Sequence, residues 1–117
     1  MKISFRDNSI TYISDKGAFI KHLPLSTPFK DIEILIDGRI LVCEDYYEFK
    51  YNGKSNLYCL NRDLGIDWFL PLPNPGFDDS YVGFTTHGET VFANSWNGFR
   101  VEVDVENGTL KDVVFTK

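Results

Sequence analysis

The sequence predicts an all-β domain of about ten short antiparallel strands, grouped in four-stranded, blade-like sheets. Three observations carry this. The 117 residues include ten Phe, six Tyr and two Trp, and aromatic side chains favour strands and fill cores with a large area per residue. Pro24, Pro28, Pro71, Pro73 and Pro75, with nine glycines, interrupt the windows in which a helix could form. Two stretches, Asn56–Leu70 and Phe99–Phe115, each read as strand, tight turn, strand.

In chain order, Lys2–Phe5 and Ser9–Ser14 are strands flanking Asp7-Asn8. Ala18–His22 follows a turn at Asp15-Lys16-Gly17. Ile32–Ile36 leads into Asp37-Gly38 and Arg39–Cys43 leaves it, and Asp-Gly between apolar runs is a strong hairpin signal. A turn at Glu44-Asp45 then passes to a strand at Tyr47–Tyr51, where aromatic and charged residues alternate; one helical turn near Glu44–Tyr47 competes with this reading. After Asn52-Gly53-Lys54-Ser55 comes the first marked hairpin, turning at Asn61–Gly65. Pro71–Ser80 is a loop, because its prolines remove ladder donors. Tyr81–Thr85 and Thr90–Asn94 flank His87-Gly88-Glu89, and Trp96-Asn97-Gly98 turns into the closing hairpin, which turns at Glu106-Asn107-Gly108.

The pattern recurs. Ile32–Phe69 and Tyr81–Phe115 both read as hairpin, linker, hairpin, with Gly38 matching Gly88 and Gly65 matching Gly108. The first unit carries about seven extra residues between its hairpins, and each unit is four strands in roughly 40 residues. Ser9–His22 reads as the second hairpin of an incomplete unit, with Gly17 in the place of Gly65. This gives a single domain over 1–117, with units at 1–27, 28–71 and 72–117. Face patterning adds a constraint. Ile32, Ile34 and Ile36 lie on one strand face and Leu35 on the other. Ile40 and Val42 oppose Leu41 and Cys43. Strands apolar on both faces must be covered on both sides, and without helices other sheets must do it. Phe99–Asp104 alternates cleanly, as an outer strand with one wet face does.

Tyr58-Cys59-Leu60-Asn61 with Gly65, and Val101-Glu102-Val103-Asp104 with Gly108, resemble the blade repeat of quinoprotein-type and WD-type β-propellers. The resemblance implies an open, partial propeller, since two and a half blades cannot close a ring. It also implies exposed blade faces and edges that bind a partner or a second copy.

The formal charge is −5, from 17 acidic and 12 basic residues, which argues against nucleic acid as a direct ligand and suits a basic protein partner. The N-terminal segment lacks an apolar signal core, and no run approaches the roughly 20 apolar residues of a membrane span, so a cytoplasmic location is expected. Cys43 and Cys59 are expected to be buried thiols in a reducing compartment. His22 and His87 stand far apart, so neither a metal site nor a nucleophilic triad is expected, and no cofactor motif is present.

Two short patches mix acids with tyrosine: Glu44-Asp45-Tyr46-Tyr47-Glu48 and Asp78-Asp79-Ser80-Tyr81. Tyrosine is enriched in interface hot spots, and neighbouring carboxylates select a cationic partner. The alternative for each is a polar turn beside core tyrosines. A small, acidic, all-β chain of this character resembles the immunity proteins of bacterial toxin–immunity systems, including contact-dependent growth inhibition. That resemblance implies a non-catalytic inhibitor of a basic, nuclease-type toxin. Glu44, Asp45 and Glu48 would stand in for substrate phosphates, Tyr46 or Tyr47 would anchor in a pocket, and Asp78, Asp79 and Tyr81 would add to the surface. The competing expectation is a structural module that completes a propeller-like ring by homo-oligomerisation.

Overall fold

The computed structural model describes residues 2–6, 8–14, 16–74 and 77–116. Asp7, Asp15 and Pro75, to which the sequence assigns turn or loop roles, lie outside the described residues. Those described form eleven strands and no helix, so none contains a helix able to cross a membrane.

Strands β1 (Lys2–Arg6), β2 (Ser9–Ile13) and β3 (Phe19–His22) make the first sheet. Strands β4 (Phe29–Ile34), β5 (Ile40–Glu44), β6 (Leu57–Leu60) and β7 (Ile66–Phe69) make the middle one. Strands β8 (Tyr81–His87), β9 (Thr90–Ser95), β10 (Phe99–Asp104) and β11 (Thr109–Phe115) make the last. Every neighbour pair is antiparallel and sequential, so each sheet is a meander whose pairing follows from its own turns.

The middle sheet is dry on both faces. Ile40, Val42, Tyr58 and Leu60 pack with Ile10 of the first sheet, joined by Ile3, Tyr12 and Ile20. Leu41, Cys43, Leu57 and Cys59 pack with Tyr81, Val91, Ala93, Val101 and Val103 of the last sheet. The alternation in Ile40–Cys43 therefore divides its side chains between two cores, and three layers result. On the outer layers the opposite parity is mixed: exposed Ile13 and Phe19 pair there in the first sheet, and Phe92 and Val114 lie there in the last. Ser4, Thr11 and Lys21 line the far side of the first sheet, and Thr85, Asn94, Arg100 and Glu102 that of the last.

Turn chemistry sets the strand ends. Leu35 N–H donates to Arg39 O at 2.8 Å, with Gly38 at φ +91°. This closes the β4–β5 turn earlier than the isoleucine alternation suggests. Ile34 and Ile36 are exposed, Ile36 at 91%, and only Ile32 of the three joins a core. The segment 45–56 is a connection, not the expected strand at Tyr47–Tyr51. Asp45 Oδ1 accepts from Tyr47 N–H at 2.9 Å and bends the chain at once, and Glu48 and Asn52 hold φ +62° and +47°, which no strand accommodates. The β10 strand keeps its wet face, but it lies inside its sheet, between β9 and β11.

Candidate interaction surface

The turns β4–β5, β8–β9 and β10–β11 gather at one end of the sheets, where residues from all three line one cleft. The connections β5–β6, β7–β8 and β9–β10 run at the other end. The two acid–tyrosine patches lie there and are brought together. Tyr46 stacks on Trp96, with ring centroids 5.1 Å apart. Next in the chain, Asn97 donates from its main-chain N–H to Asp79 Oδ1 at 3.0 Å and from Nδ2 to Asp78 O at 2.7 Å. Lys30 Nζ sits 5.5 Å from the Tyr46 ring centroid, a cation over an aromatic face. Tyr47, Phe77 and Trp96 are exposed at 70%, 65% and 56%. Glu48 and Asp78 are exposed, and Asp45 and Asp79 are half-buried. One oxygen of Asp79, Oδ2, is buried without a hydrogen-bond partner.

Two expected members of the surface are corrected. Glu44 is fully buried. It shares the parity of Ile40 and Val42, so its side chain enters the core between the first and middle sheets. There its carboxylate accepts from three consecutive main-chain N–H groups, Leu25 at 2.8 Å, Ser26 at 3.0 Å and Thr27 at 2.9 Å, and from Tyr58 Oη at 2.5 Å. A carboxylate so satisfied organises the 25–27 loop and is closed to a partner. Tyr81 is also fully buried: it opens β8 in the other core, and its hydroxyl donates to Pro71 O at 2.5 Å. The surface retains Asp45, Tyr46, Tyr47, Glu48, Asp78 and Asp79, and gains Trp96 and Phe77. Trp96 sits in a three-residue turn and was legible only as a turn residue.

The histidines take different roles. His22 Nε2 lies 2.8 Å from Tyr58 Oη. Because that hydroxyl gives its proton to Glu44, the His22 nitrogen must be the donor in this contact. Burial holds the His22 pKa below its usual value, against the opposing charge of Glu44. Burial, reinforced by the Glu44 hydrogen bond, raises that of Tyr58. The chain His22–Tyr58–Glu44 ends on main-chain amides and ties three segments together. His87 is exposed at the end of β8 and meets Phe92 edge-on, centroids 5.9 Å apart. Both cysteines are free and buried, and desolvation pushes each thiol up to about 12. Among the described residues no three His, Cys, Asp or Glu side chains are grouped to hold a metal.

Comparison with protein-family models, with curated proteins and with solved structures finds no match for this chain.

Proposed function

We propose that the protein is a non-catalytic binding protein that docks a basic protein partner on the Tyr46–Trp96 surface. We infer that the partner is a nuclease-type toxin, neutralised in the manner of a bacterial immunity protein. The observation that carries this reading is the aromatic shelf. Tyr47, Phe77 and Trp96 stand exposed beside Asp45, Glu48, Asp78 and Asp79, all from the connections at one end of a three-layer stack. Exposed tyrosine and tryptophan amid carboxylates, on loops fixed by a rigid scaffold, is the composition of an interface hot spot for a cationic partner.

The layer order supports a blade-like reading of the sheets, since each is a sequential meander covered by the next through apolar faces. The second reading is homo-oligomerisation through open sheet edges, favoured by Val113, Val114 and Phe115, exposed on edge strand β11.

The test is affinity capture from the native cell, run in parallel with the wild type and with Tyr47→Ala/Trp96→Ala/Asp78→Lys. The reading expects a basic protein, retained by the wild type and lost by the triple variant, whose nuclease activity falls on adding the wild type. Retention by the triple variant, or a captured partner with no such activity, overturns it.

A further inference from the structure

The opposite end of the molecule carries a different surface. A cleft of about 580 Å³ opens between the β4–β5, β8–β9 and β10–β11 turns. Its apolar lining includes Ile34, Leu35, Val91 and Val105, with Ile36 on the rim nine-tenths exposed. Four carboxylates, Glu33, Asp37, Glu89 and Glu106, face the guanidinium of Arg39, and a second guanidinium, that of Arg62, lies beside the β4–β5 turn with its Nε donating to Asp37 O at 2.7 Å. Arg39 is already committed, donating from Nε to Asp37 at 2.8 Å and from Nη1 to Asp67 at 3.0 Å. Among the described residues no lysine or arginine pairs with Glu33, Glu89 or Glu106. The cleft thus holds uncompensated negative charge over an apolar floor, in a chain whose whole formal charge is only −5.

We propose that this cleft is a docking groove for an extended protein segment in which arginine or lysine alternates with an aliphatic residue. Charge complementarity selects the cations, and the groove removes the aliphatic side chains from water. The carboxylates come from the end of β4 and from three separate turns and are not grouped closely enough to hold a metal, so the charge is spread along the groove as a polycation requires. Ile36 has no structural task that explains its exposure, and in a seated complex its side chain would be covered. This groove is independent of the Tyr46–Trp96 surface and lies at the other end of the sheets.

The test uses the full chain and a fluorescein-labelled hexapeptide alternating arginine and leucine, read by fluorescence anisotropy. Saturable binding is expected, weakened at least about tenfold by Ile36→Ser and by Glu89→Lys/Glu106→Lys, as hot-spot loss implies. All three positions are exposed, so these variants fold, and circular dichroism verifies it. A peptide alternating arginine and serine should bind at least about tenfold more weakly at the same charge. Tyr47→Ala, at the other end, should leave binding unchanged. Equal affinity for the serine peptide, insensitivity to the groove variants, or loss with Tyr47→Ala overturns the proposal. So does displacement by calcium chloride beyond that by sodium chloride at equal ionic strength, which would mark an ion site. Self-association abolished by Ile36→Ser overturns it as well, because the occupant would then be a second copy.

Discussion

The carboxamide of Asn56 engages both main-chain polar groups of Tyr81, donating to its carbonyl at 2.7 Å and accepting from its N–H at 2.8 Å. It reproduces with a side chain the two-way exchange of an antiparallel strand pair, and it does so between two sheets. The same Nδ2 also donates to Glu44 O at 2.7 Å. Asn56 therefore fixes the start of the last sheet against the middle one, and so positions both the 70–80 and 96–98 connections.

Replacing Asn56 by Leu should leave Tyr81 N–H, Tyr81 C=O and Glu44 C=O short of partners in a dry core. The expected loss is about 2–4 kcal/mol, because buried unsatisfied groups forfeit their hydration. Urea denaturation measures it. A loss below about 0.5 kcal/mol, the ordinary scale of neutral surface changes, would show that the two sheets hold together without this bridge.

Gly108 lies under the Trp68 indole, whose Nε1 donates to Val105 O at 3.2 Å. A Cβ at Gly108 would stand 2.3 Å from Trp68 Cδ2, and the residue holds φ +69°. Gly53 holds a similar φ of +72° with nothing near its missing Cβ. Gly53→Ala should cost about 1–2 kcal/mol, the left-handed penalty alone. Gly108→Ala should cost clearly more and shift tryptophan fluorescence. Equal costs would mean that the contact between middle and last sheets at this point is loose.

Stability should fall as pH drops below the ordinary histidine value. His22 has a lowered pKa in the folded state, chiefly through desolvation. The unfolded chain therefore binds the proton first, at about pH 6.5. Between that value and the folded pKa the unfolded state holds more protons, so stability rises with pH across this window. His22→Gln should flatten the slope in chemical denaturation at pH 5–7. An unchanged slope would assign the effect to other groups.

Much of the fold was legible because its turns are local. Asp37-Gly38, His87-Gly88-Glu89 and Glu106-Asn107-Gly108 each sit where a hairpin turns, and the two-sided pattern at Ile40–Cys43 required layers on both faces. What misled was alternation without context. Tyr47–Tyr51 has a strand's periodicity, but the Asx turn at Asp45 and the left-handed Glu48 override it. Glu44 reads as a surface acid by composition; the amides of a loop some twenty residues upstream, with the Tyr58 hydroxyl, make its burial tolerable. The cleft at the turn end escaped because Glu33, Glu89 and Glu106 are distant in sequence and meet only when the sheets stack.

The thiols of Cys43 and Cys59 face the core between the middle and last sheets, with their ionisation pushed up to about 12. Thiolate is the reacting species, so alkylation by iodoacetamide at pH 8 should be very slow in the native protein and rapid in 6 M guanidinium. Fast native labelling would reveal local opening of β5 and β6.

The most direct measurement of the binding account is a nuclease titration. A basic nuclease domain captured with this protein is held at fixed concentration, and residual cleavage is read as the protein is added. The account predicts stoichiometric loss of activity with the wild type, and at least about tenfold weaker inhibition with Tyr47→Ala/Trp96→Ala, as expected for hot-spot removal. Undiminished cleavage at a large excess of wild-type protein, or equal inhibition by the double variant, would contradict it.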